Sequence, residues 1–328
     1  MNKKILIPDG STDANIEKQV FGDNYEVITP NANDISEIKD EIWASCDGML
    51  VWHDFEYSEE IISKLSNCKG LVRVGTGFDN VDLRTATEKN IIVSNVPDYG
   101  VNDVADHTWG LILALERGII AFNQSILEEG PWSWELGINL ERIQNRTLGI
   151  LGLGRIGTAV AIRAKAFGMR IVFYDPYLPI GIEKSLSLNR VHRQVDLIKE
   201  ADIVTIHTPL TKLTKGMVDK EFFSMMRPGS SIFNTARGEI IVMDDLYHAL
   251  KENTIKCAGV DVLETEPIDY YHPLIKAWKQ GESWISGRLI ITPHAAFYNK
   301  QSYEEMRRKA AEELKRIIEG NKPLNRVN

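Results

Sequence analysis

Cysteine is scarce in this chain: Cys46, Cys68 and Cys257 are the three among 328 residues, with no CxxC pair and no cluster with histidine. That spacing excludes a disulfide framework and offers no zinc-ligand pattern, so no metal site is expected. It fits inert buried thiols in a reducing cytoplasm. Long hydrophobic runs are also missing. No apolar stretch approaches the ~18 residues of a membrane helix, so no membrane association is expected. The opening MNKKILIPDG has too little apolar sequence for a signal peptide and reads as a first strand. Positive charge is in deficit, with 38 Lys and Arg against 46 Asp and Glu for a net charge of −8. With no basic stripe either, nucleic acid is excluded as an expected partner. Internal repeats and low-complexity tracts are absent.

What the chain does contain is alternation. The length suggests about two domains of ~150 residues each. Short runs rich in Ile and Val, namely KKILI, YEVIT, GMLVW, GLVRV and NIIVSN, are separated by helical-period segments such as SEEIISKLSN and LRTATEKN. A second series begins at TLGILGLGRIG and continues through RIVFYD, DIVTIH, SSIFNTA, CAGVDVL and RLIIT. Strands alternating with helices predict an α/β fold of doubly wound parallel sheets. Between the two series, residues 103–122 read as one long helix with Asp103 as N-cap. A polar connector follows, in which Trp132 and Trp134 are expected to pack structurally. The closing QSYEEMRRKAAEELKRIIEG reads as an amphipathic helix.

The most specific local signal is GILGLGRIG. Gly152, Gly154 and Gly157 form GxGxxG between a strand and a helix. The first glycine permits the tight turn, the second lets a pyrophosphate approach the backbone, and the third lets helix and strand pack closely. Asp175 ends the next strand. A carboxylate there accepts hydrogen bonds from ribose hydroxyls and repels a 2′-phosphate, so the expected cofactor is NAD rather than NADP. The plain alternative is a turn former ahead of Pro176. The fingerprint begins only at residue 152, so the first lobe must be something other than the cofactor domain.

Three later strand ends carry polar groups that a fold alone does not demand. Arg237 follows a buried strand in NTARGEI, Asp261 lies inside an apolar strand with Glu266 just beyond in GVDVLETEP, and His294 follows the last strand in ITPHAAF. Strand carboxyl ends line the ligand crevice of a doubly wound sheet, so these groups are expected to converge. Taken singly, each has a bland reading: a core histidine, a surface ion pair, a solvated acid.

The ordered set GLGRIG with Asp175, HTPLT, NTARG, DVLETEP and TPHAA resembles the D-specific 2-hydroxyacid dehydrogenases over nearly the whole chain. Within that family, VRVGTGFDNVDL, AIRAKAFGMRIVFYDPYLP and TPHAAFYNKQS are most similar to the C-terminal-binding-protein branch. The resemblance implies that Arg237, Glu266 and His294 are the catalytic set, and the chemistry suits them. Reducing a 2-oxo acid places a hydride on carbon and a proton on oxygen, and a histidine can supply that proton. A neighbouring glutamate favours the imidazolium and fixes the ring. A guanidinium grips the substrate carboxylate and polarises its carbonyl.

The resemblance also implies cofactor contacts from Arg155 and Ile156 at the pyrophosphate, and from Thr208 and Pro209 on the adenosine side. Thr235, Ala236, Arg237, Asp261 and His294 would lie by the nicotinamide, with Asp261 holding its carboxamide. Substrate contacts fall to Arg73, Thr76, Gly77, Arg237 and Phe297. Gly75 and Gly77 are expected to present free amides as a nest for the substrate's acid group. Phe297 stands where animal members of the branch have tryptophan, so no substrate preference transfers. The segment 270–289, with Trp278 and Trp284, is longer than usual. It reads as an extra loop that either packs on the core or reaches towards the cleft or a partner subunit.

By the same resemblance, residues 1–102 with 295–328 form a flavodoxin-like substrate domain. An NAD-binding Rossmann domain, 103–294, is inserted in it, with closure expected at the hinge. The arm at 103–122 implies a homodimer. A competing expectation, from the same branch, is a dinucleotide-sensing corepressor-type scaffold with little turnover.

Overall fold

The computed structural model describes residues 2–10, 13–136 and 140–328. Met1 of the opening segment and residues 137–139 of the tryptophan-bearing connector lie outside them. The chain divides into two compact units, Met1–Gly100 with Tyr298–Asn328, and Val101–Phe297.

In the first unit five strands pair in parallel: β1 (Lys3–Leu6), β2 (Tyr25–Ile28), β3 (Gly48–Val51), β4 (Gly70–Arg73) and β5 (Ile92–Ser94). Their order, β2-β1-β3-β4-β5, is the flavodoxin-like arrangement. Every residue of β3 and β4 is buried, which explains why these runs are mainly apolar rather than alternating, with Arg73 the one charged residue at the end of β4. The closing helix, Lys300–Ile318, lays Met306, Ala310, Leu314 and Ile317 inward at helical spacing. Its start is fixed by a capping box between Asn299 and Ser302. On the same helix Arg307 makes a buried bidentate pair with Glu17.

At the carboxyl ends of β1 and β3 a buried Asp9 gathers the loop that follows β3. Its carboxylate accepts from the backbone N–H groups of Trp52, Asp54 and Phe55 and from the Tyr57 hydroxyl. Burial raises the Asp9 pKa, and the donors oppose that rise.

The second unit holds seven parallel strands: β6 (Thr147–Leu151), β7 (Arg170–Tyr174), β8 (Asn189–Arg190), β9 (Ile203–Ile206), β10 (Ser231–Asn234), β11 (Cys257–Val260) and β12 (Leu289–Ile291). The order β12-β11-β10-β9-β6-β7-β8 reverses direction between β6 and β9. That reversal is the switch point at which doubly wound sheets open a crevice. Both sheets therefore have the expected α/β architecture.

Several expectations need correction. The long helix at 103–122 is two helices, Val101–Glu116 and Ile119–Leu127, bent by 63°. The cause is Gly118, which adopts a left-handed φ of 65° and ends the first helix after Glu116. The first helix begins at Val101, so Asp103 lies inside its first turn and is not its cap. Trp132 and Trp134 do not pack into the unit: they are 90% and 83% exposed, and Trp134 begins a short 3-10 turn, Trp134–Leu136. In the 270–289 segment the packing alternative is the one observed. Pro273–Lys279 is helical, the Trp278 indole donates to the Leu289 carbonyl, and Trp284 meets Tyr247 edge to face. Cys46, Cys68 and Cys257 are free and buried. Among the described residues no single helix is long and apolar enough to cross a membrane, and no His, Cys, Asp and Glu cluster could hold a metal ion.

Candidate active site

The turn after β6 is shaped by its glycines. Gly152 has a φ of 85°, and a Cβ there would meet the His207 carbonyl at 2.9 Å, so glycine alone fits. A Cβ on Gly157 would come within 2.2 Å of the Gly152 oxygen, which is the close helix-to-strand approach expected of the third glycine. Gly154 caps the Arg155–Ala166 helix and is exposed, with open space where a side chain would be. Arg155 and Ile156 are the first residues of that helix, whose N-terminal amides face the turn.

Asp175 follows β7 directly. One carboxylate oxygen accepts from the Leu153 amide at 2.9 Å and the other from the Tyr177 amide at 3.0 Å. The group is thus clamped to the glycine turn while keeping acceptor capacity for further donors. Beyond β9, the Thr208 hydroxyl is buried with no hydrogen-bond partner among the described residues, and Pro209 follows it at the surface. A buried polar atom of this kind fits a polar ligand at the switch point. The glycine cradle, the clamped carboxylate and the orphaned hydroxyl together fit a dinucleotide.

His207, the first residue past β9 and beside this turn, is half-buried as a residue with its ring in the interior, beside the Thr205 hydroxyl at 2.9 Å. Burial lowers its pKa from 6.5 to about 3. The unfolded chain therefore takes up this proton before the folded one does. Its contribution to stability is complete above about pH 6.5 and is lost as pH falls towards about 3. Denaturant titrations of His207→Gln between pH 7 and 4 are expected to show a flatter acid limb than the parent; parallel limbs would contradict this.

The ends of β10, β11 and β12, neighbours in the sheet, carry the second half of the site. After β10, Thr235 is buried, with its hydroxyl 2.9 Å from that of Thr108, and Ala236 donates its amide to the Asn234 side chain. Asn234 in turn donates to the Arg237 carbonyl, which fixes the loop that bears the guanidinium. Gly238 then lies so close to the Leu263 carbonyl that a Cβ would sit 1.9 Å from it. The arginine loop is thereby pressed onto the segment that leads to Glu266.

Asp261, expected inside the strand, is the first residue past β11. It is 2% exposed, and its carboxylate accepts from the Thr292 hydroxyl and the amides of Ala295 and Ala296. His294 adopts a left-handed φ of 51°, unusual for a residue with a Cβ. Its amide donates to the Asp261 carbonyl at 2.7 Å. The His294 Nδ1 lies 2.8 Å from one oxygen of Glu266, whose other oxygen accepts from the Leu263 amide. A ring held at Nδ1 by a carboxylate presents Nε2 as the nitrogen able to exchange a proton with a ligand. Phe297 is half-buried at the end of this segment.

Of the residues expected from sequence, His294 and Glu266 are in direct contact, and Arg237 and Asp261 share their rim. Arg73, Thr76 and Gly77 belong to the other unit. There Arg73 is 6% exposed at the end of β4, and its guanidinium folds back over Gly75 to donate to the Val74 carbonyl. The Thr76 hydroxyl donates to the Val96 carbonyl. One detail of the expected nest is corrected: the Gly75 amide is not free, because it donates to the Arg73 carbonyl two residues back. His107 and Thr292, 3.0 Å apart beside Asp261, join this group without any signal in the sequence. Their contact is between residues far apart in the chain, which no local motif announces.

Comparison with known proteins agrees with this architecture. Residues 109–296 match the family described as D-isomer specific 2-hydroxyacid dehydrogenase, NAD binding domain. The chain is 36% identical over 294 residues to D-3-phosphoglycerate dehydrogenase of Methanocaldococcus jannaschii, which covers 90% of this chain and 53% of that protein. It is 31% identical over 326 residues to C-terminal-binding protein 1 of Caenorhabditis elegans, covering 97% of this chain and 44% of the relative. It thus spans about half the length of these curated relatives. The crystal structure of D-lactate dehydrogenase from Aquifex aeolicus, complexed with NAD and lactic acid, superposes with a TM-score of 0.84 at 27% identity, covering 97% of this chain and 96% of that one. The chain belongs to the D-isomer-specific 2-hydroxyacid dehydrogenase family.

Proposed function

We propose that this protein interconverts a 2-oxo acid and its D-2-hydroxy acid with NAD as cofactor, using His294 as proton donor and acceptor, Glu266 as its orienting partner and Arg237 as the substrate's cation. The observation that carries this reading is the 2.8 Å contact between His294 Nδ1 and Glu266 on the rim that also bears Arg237. When bound, the nicotinamide cofactor supplies or accepts the hydride. The protein's own part is the proton and the charge. Arg237 binds the substrate carboxylate through its planar fork and draws electron density from the adjacent carbonyl. His294 delivers a proton from Nε2 to the developing alkoxide, while Glu266 stabilises the imidazolium that donates it. Asp261, Thr235 and Ala236 are assigned to the nicotinamide, and Arg73, Thr76, Gly77 and Phe297 to the substrate. The unit Met1–Gly100 with Tyr298–Asn328 acts as the substrate domain in this scheme.

Asp175 supports NAD over NADP, because its charge opposes a 2′-phosphate and its clamped oxygens can accept from ribose hydroxyls. Losing a hydrogen bond to a charged group costs about 1.5–3 kcal/mol, so Asp175→Ser should raise the KM for NADH ~10- to 100-fold and narrow the preference over NADPH. Unchanged NADH kinetics would remove this residue from the cofactor site.

The exposed Trp132 and Trp134, with exposed Ile126 and Leu127 nearby in sequence, favour a homodimer. Light scattering on the Trp132→Ser/Trp134→Ser double variant should then report a lower mass than the parent. A parent that already runs as one chain would defeat the proposal.

Steady-state assays of NADH and NADPH oxidation over a panel of 2-oxo acids test the reaction itself. Turnover with at least one acid and a preference for NADH is the expected result. The similarity to the worm C-terminal-binding protein favours a second reading, a dinucleotide-sensing scaffold with little catalysis. Association that depends on NAD, with negligible turnover across the whole panel, would select that alternative.

A further inference from the structure

Asp261 does more for His294 than share its rim. It binds four points of one short segment: the Thr292 hydroxyl at 2.5 Å, the His294 amide at 2.7 Å, and the Ala295 and Ala296 amides, both at 2.9 Å. A left-handed residue with a Cβ is strained, and it persists where its surroundings over-determine it. The amides immediately after His294 are tied to the Asp261 carboxylate, so the carboxylate holds that backbone turn and, with it, the ring's reach to Glu266.

A buried carboxylate needs its donors committed. Thr292 has one hydroxyl proton and two candidate acceptors, Asp261 at 2.5 Å and the His107 Nε2 at 3.0 Å. If Nε2 carried a lone pair, both neighbours would compete for that single proton. The network closes only when His107 Nε2 is protonated and donates to the Thr292 oxygen, which sends the Thr292 proton to Asp261. His107 also lies 3.6 Å from the same Asp261 oxygen. Its place is secured by the next residue on the helix: Thr108 donates to the Val104 carbonyl and so receives the hydroxyl of Thr235.

Resting on the reaction proposed above, we infer that His107 is a positioning residue. Through Thr292 it fixes the Asp261 carboxylate, and through Asp261 it fixes the backbone turn that aims His294. It touches neither substrate nor the reacting atoms in this role.

The test compares His107→Phe, His107→Gln, Thr292→Val and Thr292→Ser with the parent. A misplacement of about an ångström can cost ~100-fold, so His107→Phe should lower kcat ~10- to 100-fold while the KM for the 2-oxo acid stays nearly constant. Glutamine places an amide donor where Nε2 was, and His107→Gln should recover most of the loss. Serine keeps the hydroxyl, so Thr292→Ser should outperform Thr292→Val. The His107→Phe/Thr292→Val pair should be no slower than the slower single variant, since both break one chain. Independently of turnover, ¹⁵N spectra of the histidine-labelled protein without cofactor should show His107 protonated at Nε2, and the His294 signals should move in His107→Phe.

The inference is overturned by parent-like kcat in His107→Phe, by Gln no better than Phe, by multiplying losses in the double variant, or by an unprotonated Nε2. If the parent reduces no 2-oxo acid at all, the proposed reaction falls. The protonation of His107 and the response of His294 then still decide this inference.

Discussion

Replacing His294 with alanine is expected to reduce kcat for 2-oxo acid reduction by ~100- to 10,000-fold, the range that a positioned general acid contributes. The binding of NADH should change little, because the glycine turn and Asp175 lie on other strand ends. The loss should therefore fall on kcat and on kcat/KM together, the signature of an interaction made in the transition state. Glu266→Gln keeps an acceptor for the ring but removes the charge that stabilises imidazolium, so a smaller loss in the same direction is expected. Steady-state kinetics with cofactor fluorescence titration reads both. A His294→Ala enzyme within a few-fold of the parent would show that the proton comes from elsewhere.

Arg237 should produce the second large effect, and a different one. Its fork is asked to bind the carboxylate and to polarise the carbonyl, so Arg237→Ala removes ground-state and transition-state interactions at once. Two charge-assisted hydrogen bonds at about 1.5–3 kcal/mol each place the loss in kcat/KM at ~100-fold or more. KM for the 2-oxo acid should rise while kcat falls. Arg237→Lys keeps the charge without the planar fork, so it should recover only part of the activity. If lysine restored everything, the residue would be acting as a point charge. If alanine left KM untouched, the carboxylate would have another partner.

Much of this was legible in the sequence for identifiable reasons. Buried parallel strands are written as short runs rich in Ile, Val and Leu without polar alternation, and β3, β4 and β6 are buried at every residue. The glycine fingerprint is legible because steric demands at Gly152 and Gly157 admit no side chain. His294 and Glu266 were paired by chain order and chemistry, and they are bonded at 2.8 Å.

The misses have physical causes too. The apolar period runs on through Arg117 and Gly118, so it could not show that the glycine would turn left-handed and split the helix. Trp132 and Trp134 are large apolar side chains for which packing is the ordinary expectation; a single chain's sequence does not say what covers them. The GTG motif does not show that the chain closes a tight turn in which the Gly75 amide donates to the Arg73 carbonyl. Strand β8 has two residues, too few for any periodicity. His107 and Thr292 meet across a separation of 185 residues, and only the folded sheet brings that helix face to β12.

The most direct measurement follows the transferred atom. The parent protein, NADH carrying deuterium at the transferable C4 position and a 2-oxo acid that it turns over should give a 2-hydroxy acid with one deuterium on C2, entirely in the D configuration. A product without deuterium at C2, or of the L configuration, would contradict the account, as would a protein that binds the cofactor and reduces no acid offered.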